Sequence, residues 1–253
     1  MRTTFRHCFL ANFAIRPETL AARLPPHLQP DVHEGWSFLS VVIAKMEKMR
    51  PVFLPRALGT TYSQVVYRAV VRCGDERGVH FLRSDADSAL MAMAGNALTF
   101  FRFHRGRVSW LLSPERVRFQ LRPLGGERAG IDAEYDLANA RSRLPPTSRF
   151  ESLERAQAFL TELYVAFGGE RRDGRIDAVR IRRNAWRSLV VEDRVASYEA
   201  MNSGVLFGSG EADLDSVFYV ESLHYHWFRG TTVDGAIHAE DSATRFSPHI
   251  TKA

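Results

Sequence analysis

Six polar side chains crowd into one stretch of this sequence: Gln64, Arg68, His80, Arg83, Asp85 and Asp87. Gln64 and Arg68 stand four apart in an alternating run, which sets both on one face of a strand. His80 falls on the run that returns after Gly74-Asp75-Glu76-Arg77-Gly78, and Arg83, Asp85 and Asp87 follow where that run gives way to an Ala/Met-rich segment. A guanidinium at Arg68 or Arg83 can hold a carboxylate by a forked pair of hydrogen bonds, with Gln64 as a further ligand contact. His80 or Asp85 is the group suited to moving a proton. Polar groups gathered at strand ends around a concave sheet are how barrels build ligand sites, so Gln64, Arg68 and His80 are expected inside the sheet. A purely structural reading stays open beside this one. Asp85 or Asp87 can cap the following helix, and Arg83 can pair with either carboxylate.

Other chemistry is thinly represented. His224-Tyr225-His226 places two imidazoles on one strand face ~7 Å apart, but no third ligand is recognisable, so no metal is expected. Instead, Tyr219, Tyr225 and Trp227 are expected inward and the histidines at the solvent side. Cys8 and Cys73 fit neither a disulfide framework nor a metal spacing, which points to a reducing, cytoplasmic compartment. No Walker loop, G-x-G-x-x-G, G-x-S-x-G or H-E-x-x-H occurs, and no cofactor is expected.

The elements that must position these residues read mostly as strands. Thr61 to Arg72 and Val79 to Arg83 make an antiparallel hairpin, and Trp36 to Ile43 is a buried strand. A short helix follows Pro17, and another over Ala89 to Ala94 is expected to stop at Gly95-Asn96. Leu98 to His104, Val108 to Leu112 and Val117 to Arg122 read as a meander with a turn at Arg105-Gly106. Apolar residues from Leu153 through Ala156, Leu160, Leu163 and Phe167 repeat at helical spacing and predict a helix over 152–167 ending at Gly168-Gly169. Further strands fall at 178–182, 189–195 and 218–228.

With 253 residues, 45% hydrophobic, the chain can enclose a full core, expected as a single domain over 1–253. The opening Met1 to Ile15 is broken by Arg6, His7 and Asn12, so neither a leader nor a membrane span is read there. Net charge is +5, yet 31 of 34 basic residues are arginines that alternate with carboxylates along most of the chain. The densest stretch, Arg171, Arg172, Arg175, Arg180, Arg182 and Arg183, has no interleaved aromatics and reads as a solvated face rather than a nucleic-acid groove. The expected partner is a small molecule, with no nucleic acid and no membrane, and with room for a homo-oligomer.

Three groups of residues together resemble a known family. They are Phe13-Ala14-Ile15-Arg16-Pro17 running to Leu24-Pro25-Pro26-His27-Leu28 and Glu34-Gly35-Trp36; Tyr62 to Arg68 with Gly78-Val79-His80-Phe81; and Phe159 to Tyr164 with Asn184-Ala185-Trp186 and Leu223-His224-Tyr225. In order and spacing they resemble the domain-of-unknown-function 2071 family of the acetoacetate-decarboxylase-like superfamily. The resemblance implies an α+β fold, mostly antiparallel: a cone-shaped β-barrel of the acetoacetate-decarboxylase-like type with peripheral helices and a pocket in the cone. It does not imply a reaction. Acetoacetate decarboxylase uses a Schiff-base lysine activated by a neighbouring lysine and an apolar site. The matching stretch here, Gly95-Asn96-Ala97-Leu98-Thr99, has no lysine, and Lys45 and Lys48 flank Glu47 as solvent-facing residues. The expected function is a small-molecule pocket that binds or acts on a small organic (oxo) acid without Schiff-base chemistry; the alternative is a non-catalytic ligand-binding module.

Overall fold

The structure, a computed structural model, describes residues 1–234; Lys252 and the rest of the span expected as one domain lie outside the described residues. Long alternating runs make strands the dominant element. In chain order they are β1 (Arg2–Ile15), β2 (Gln29–Pro30), β3 (Val32–His33), β4 (Trp36–Arg50), β5 (Thr60–Cys73), β6 (Glu76–Ala86), β7 (Phe103–Leu112), β8 (Arg116–Pro123), β9 (Ile131–Arg141), β10 (Val165–Glu170), β11 (Arg175–Arg183), β12 (Leu189–Tyr198), β13 (Ala212–Trp227) and β14 (Thr231–Asp234). All belong to one sheet, 14-stranded among the described residues. Among those residues three α-helices interrupt them: α1 (Pro17–Ala21), α2 (Ala89–Leu98) and α3 (Leu153–Thr161).

β13, β1, β4, β5 and β6 stand side by side, each antiparallel to the next, and form a wall. The wall's two edge strands each have two further partners outside it. Ser84–Ala86 of β6 pair with β7, whereas Val79 and His80 pair with β10. Val217–Tyr219 of β13 pair with β12, whereas Tyr225–Trp227 pair with β11. Two closed circuits therefore share the wall, one through β7, β8, β9 and β12, the other through β10 and β11. Strand twist makes such a wall saddle-shaped, so opposite pairs of corners curl toward opposite faces, and one wall can close on both sides.

The pleat divides the core accordingly. Phe9, Ala11 and Phe13, Leu39, Val41 and Ile43, and Val65, Tyr67 and Ala69 face a core completed by Phe119, Ala133 and Tyr135 of β8 and β9. The alternate positions Leu10, Val42, Val66 and Val70 face a second core completed by Ala156 and Leu160 of α3 and Ile181 of β11. Leu160 is fully buried there. Leu160→Ala is expected to remove ~2–5 kcal/mol of stability by chemical denaturation. A loss below ~1 kcal/mol would mean that the α3 face is not a packed one.

Several elements depart from the sequence reading, each for a local reason. α2 runs through Gly95-Asn96 to Leu98 because those residues dock the start of β7 rather than stop a helix. A Cβ on Gly95 would lie 2.3 Å from the Phe103 ring, and the Asn96 side chain bonds the Phe103 backbone in both directions. β7 then passes straight through Arg105-Gly106, and the turn into β8 falls at 113–115. A Cβ on Gly106 would sit 2.4 Å from the Leu121 side chain, which would have to shift to admit it. α3 ends at Thr161, and Phe167 lies instead on β10, where pairing with β6 overrides the helical spacing. Ser88, not Asp85 or Asp87, caps α2 by accepting from Met91 N–H. β1 and β9 were not foreseen at all.

Candidate functional site

Register decides which polar residues meet. Gln64 pairs with Ala86 and Arg68 with Phe81, on the wall face beneath α3, whereas His80 pairs with Ala69, on the opposite face. All three are buried, but the expected trio does not converge: cross-strand partners share a face, and His80 partners an odd position while Gln64 and Arg68 are even.

Arg83 and Asp85 share the His80 side of β6 and occupy each other. Nε and Nη2 of Arg83 donate to Oδ2 and Oδ1 of Asp85, both at 2.7 Å, and Nη1 donates to Glu127. Burial works against the Arg83 charge, yet these carboxylates hold its pKa above the ordinary arginine value. Asp87 accepts from Ser63 N–H at 2.8 Å.

Arg68 stands in a different situation. It is 5% exposed, with Nη2 donating to the Leu160 carbonyl at 2.9 Å and Nε without any acceptor. The groups it feels are Tyr225, Arg183 and Cys8, none of them a carboxylate, and burial draws its pKa below the ordinary arginine value. Burial also pushes the Cys8 thiol up to about 12 and raises Tyr225, so both stay neutral. Gln64 accepts from Tyr62 O–H at 3.0 Å. A polar row continues from Arg68 across the wall through its cross-strand partners Ser40, Asn12 and Ser216. Ser40 donates to Asn12 Oδ1 at 2.7 Å, and Asn12 Nδ2 donates to Ser216 at 3.3 Å. Sequence reasoning missed this row, although Asn12 was visible as a break in an otherwise apolar run.

Arg183 and Trp186 stand beside Arg68 and were likewise missed. Arg180 and Arg182 are exposed, as a solvated face requires, but Arg183 pairs across from buried Tyr225 and turns inward. The guanidinium carbons of Arg68 and Arg183 lie 6.0 and 5.4 Å from the Trp186 ring centre.

His80 faces a separate pocket of about 280 Å³ where β6 parts from β7 toward β10, lined also by Pro25, Asn96, Thr99, Phe100, Arg102 and Gly169. Its Nδ1 lies 2.9 Å from the Phe167 carbonyl, which can only accept, so Nδ1 carries the proton and Nε2 keeps its lone pair. Burial lowers the His80 pKa and favours this neutral form.

His224 Nδ1 lies 3.0 Å from Thr4 Oγ1, and His226 stacks on Phe228 at 4.5 Å. Leu223 and Tyr225 are buried, Tyr225 stacked on Phe5 at 4.4 Å. No group of three His, Cys, Asp or Glu side chains is placed to hold a metal among the described residues. No helix among them is long and apolar enough to cross a membrane.

A model of the domain-of-unknown-function 2071 family, described as an uncharacterized conserved protein, matches residues 2–224. No curated protein matches the chain. Among solved structures, an acetoacetate decarboxylase from Legionella pneumophila superposes with a TM-score of 0.60 at 11% identity, over 92% of this chain and 86% of that one. The enduracididine biosynthesis enzyme MppR complexed with pyruvate gives 0.60 at 11% identity, over 91% and 89%. An acetoacetate-decarboxylase-like enzyme from Sphingomonas wittichii RW1 gives 0.58 at 13% identity, over 92% of each chain. At these identities the likeness is one of fold, and the mostly antiparallel, acetoacetate-decarboxylase-like α+β architecture is the one expected.

Proposed function

The chain belongs to the domain-of-unknown-function 2071 family, and from that premise we propose that it binds a small organic acid anchored by Arg68 beneath α3, without a Schiff-base lysine. The observation that carries this reading is the buried Arg68 guanidinium with a free Nε–H and no carboxylate among its neighbours. A buried cation is costly to a fold unless something negative meets it, and a ligand carboxylate is the matching group. The pyruvate bound to MppR, a small oxo acid on a similar fold, supports the ligand class. Gln64, four residues along the same strand face, is the further contact. Arg83 and Asp85 are engaged with each other, which favours the binding-module form of the proposal over one with Asp85 as a proton carrier.

One observation favours a catalytic reading at a different place. The His80 Nε2 lone pair and Arg102 border the same pocket, an arrangement suited to drawing a proton from a bound acid. Calorimetric titration with pyruvate and acetoacetate separates the two. Arg68→Lys is expected to weaken binding about tenfold or more, because an ammonium cannot offer a planar fork, and His80→Gln to leave it unchanged. The reverse pattern would move the ligand to the His80 pocket and overturn the Arg68 assignment. Borohydride added with acetoacetate is expected to leave no adduct; a mass gain at Lys45 or Lys48 would restore imine chemistry.

A further inference from the structure

The packing around Arg68 holds more unmet hydrogen-bond donors than a single carboxylate uses. Arg68 Nε, Arg183 Nε and the Trp186 indole Nε1 are all buried, and none has an acceptor. Buried polar atoms in folded proteins nearly always find partners, so three donors left over in one place call for an explanation.

The helix above supplies part of one. Arg68 donates to the Leu160 carbonyl and Arg183 to the next, Thr161, so both cations sit at the C-terminal end of α3, where a helix dipole favours positive charge. Arg183 also gives Nη1 to the Asn184 carbonyl at 3.2 Å. Those carbonyls are neutral, however, and leave both Nε–H groups and both full charges unanswered. Tyr164 and Trp186 pack against the Arg183 guanidinium by their rings, at 5.0 and 5.4 Å, which leaves the indole N–H itself free. Cys8 and Tyr225 stay protonated and add no negative charge. The loop that carries Trp186 also forms one side of a cleft of about 460 Å³, lined by Asn184, Ala185 and Arg187 against Val220, Glu221 and Ser222 of β13.

We infer that this cluster of buried donors takes a short dicarboxylate, one carboxylate on Arg68 and the other on Arg183, with the Trp186 indole N–H as an additional donor. This deepens the proposed function and rests on Arg68 being an anchor. Two fixed positive charges with no fixed negative one are matched by a dianion, and forked guanidinium donors suit planar carboxylates.

The test is calorimetric titration of the full chain at low salt with succinate and malonate, against butyrate and propionate, and against inorganic phosphate. Succinate or malonate is expected to bind at least about tenfold more tightly than its monocarboxylate counterpart, since a charged hydrogen bond is worth about that factor. Arg183→Gln should erase the preference while keeping monocarboxylate binding. Trp186→Phe keeps a ring in place and removes the N–H at a modest packing cost; it should weaken dicarboxylate binding several-fold in a protein that still unfolds cooperatively, so it decides the matter even if Arg183→Gln fails to fold. Equal binding of the two classes, with Arg68→Lys weakening both, would overturn the dicarboxylate and leave the Arg68 anchor standing. Binding of none of these acids would overturn the Arg68 anchor itself. Phosphate binding more tightly than any dicarboxylate would replace the carboxylate assignment.

Discussion

Asparagine in place of Asp85 should remove ~3–5 kcal/mol of folding stability, because it breaks one side of a buried ion pair and strands the other. Arg83 is 4% exposed by side chain and Asp85 is fully buried, and two parallel bonds join them. What remains to Arg83 after the change is Glu127, itself 42% exposed and therefore largely screened by water. The melting temperature should fall on the order of 10 °C for a domain of this size, with a lower denaturation midpoint and an unchanged slope. Replacing both partners, as Arg83→Met with Asp85→Leu, should recover most of the loss, since the penalty lies in the unpaired charge and not in the missing pair. An Asp85→Asn protein as stable as the parent but unable to bind its ligand would assign Asp85 to the ligand instead.

Arg68→Met should act in the opposite sense. It removes a buried, uncompensated cation and keeps much of the side chain's length and apolar volume, at the cost of the single bond to the Leu160 carbonyl. The desolvation of one ion is several kcal/mol, against ~1–3 kcal/mol for leaving a carbonyl without its donor, so a net gain of ~1 kcal/mol or more is expected. In a chain of this size that is a rise of ~2–4 °C in melting temperature, accompanied by loss of organic-acid binding. A residue that weakens the fold where it sits is the mark of a site kept for binding. A clear drop in melting temperature would instead make Arg68 a structural cap for α3.

How much of this was legible in the sequence follows from what each signal depends on. The hairpin of β5 and β6 was visible because alternation and a Gly-rich turn are both local, and the polar residues it carries are buried. Which of them face each other depends on pairing across the turn, and counting back from it places His80 opposite Ala69, on the wrong side for Arg68. β1 was hidden because its residues are buried on both faces and do not alternate; its polar Asn12 looked like an interruption rather than a part of a row. Phe167 satisfied helical spacing by coincidence, and its pairing with β6 and β11 makes it a strand residue. Arg183 was buried in a run of arginines, yet it shares parity with Ile181, a core residue, and that parity alone separates it from Arg180 and Arg182.

The double closure of the sheet also governs the order in which the chain can be completed during synthesis. β1 leaves the ribosome about 200 residues ahead of one of its two neighbours, β13, with Arg2 opposite His226 and Ile15 opposite Ala212. Until residues 212–227 emerge, β1 presents a long, apolar, unpaired edge, and neither circuit can shut, since β11 and β12 both attach through β13. Such an edge is a template for pairing with another chain, and contacts of such sequence separation form slowly. A nascent or truncated chain ending before β13 is therefore the aggregation-prone species, and chaperone dependence in the cell should track how long that stage lasts.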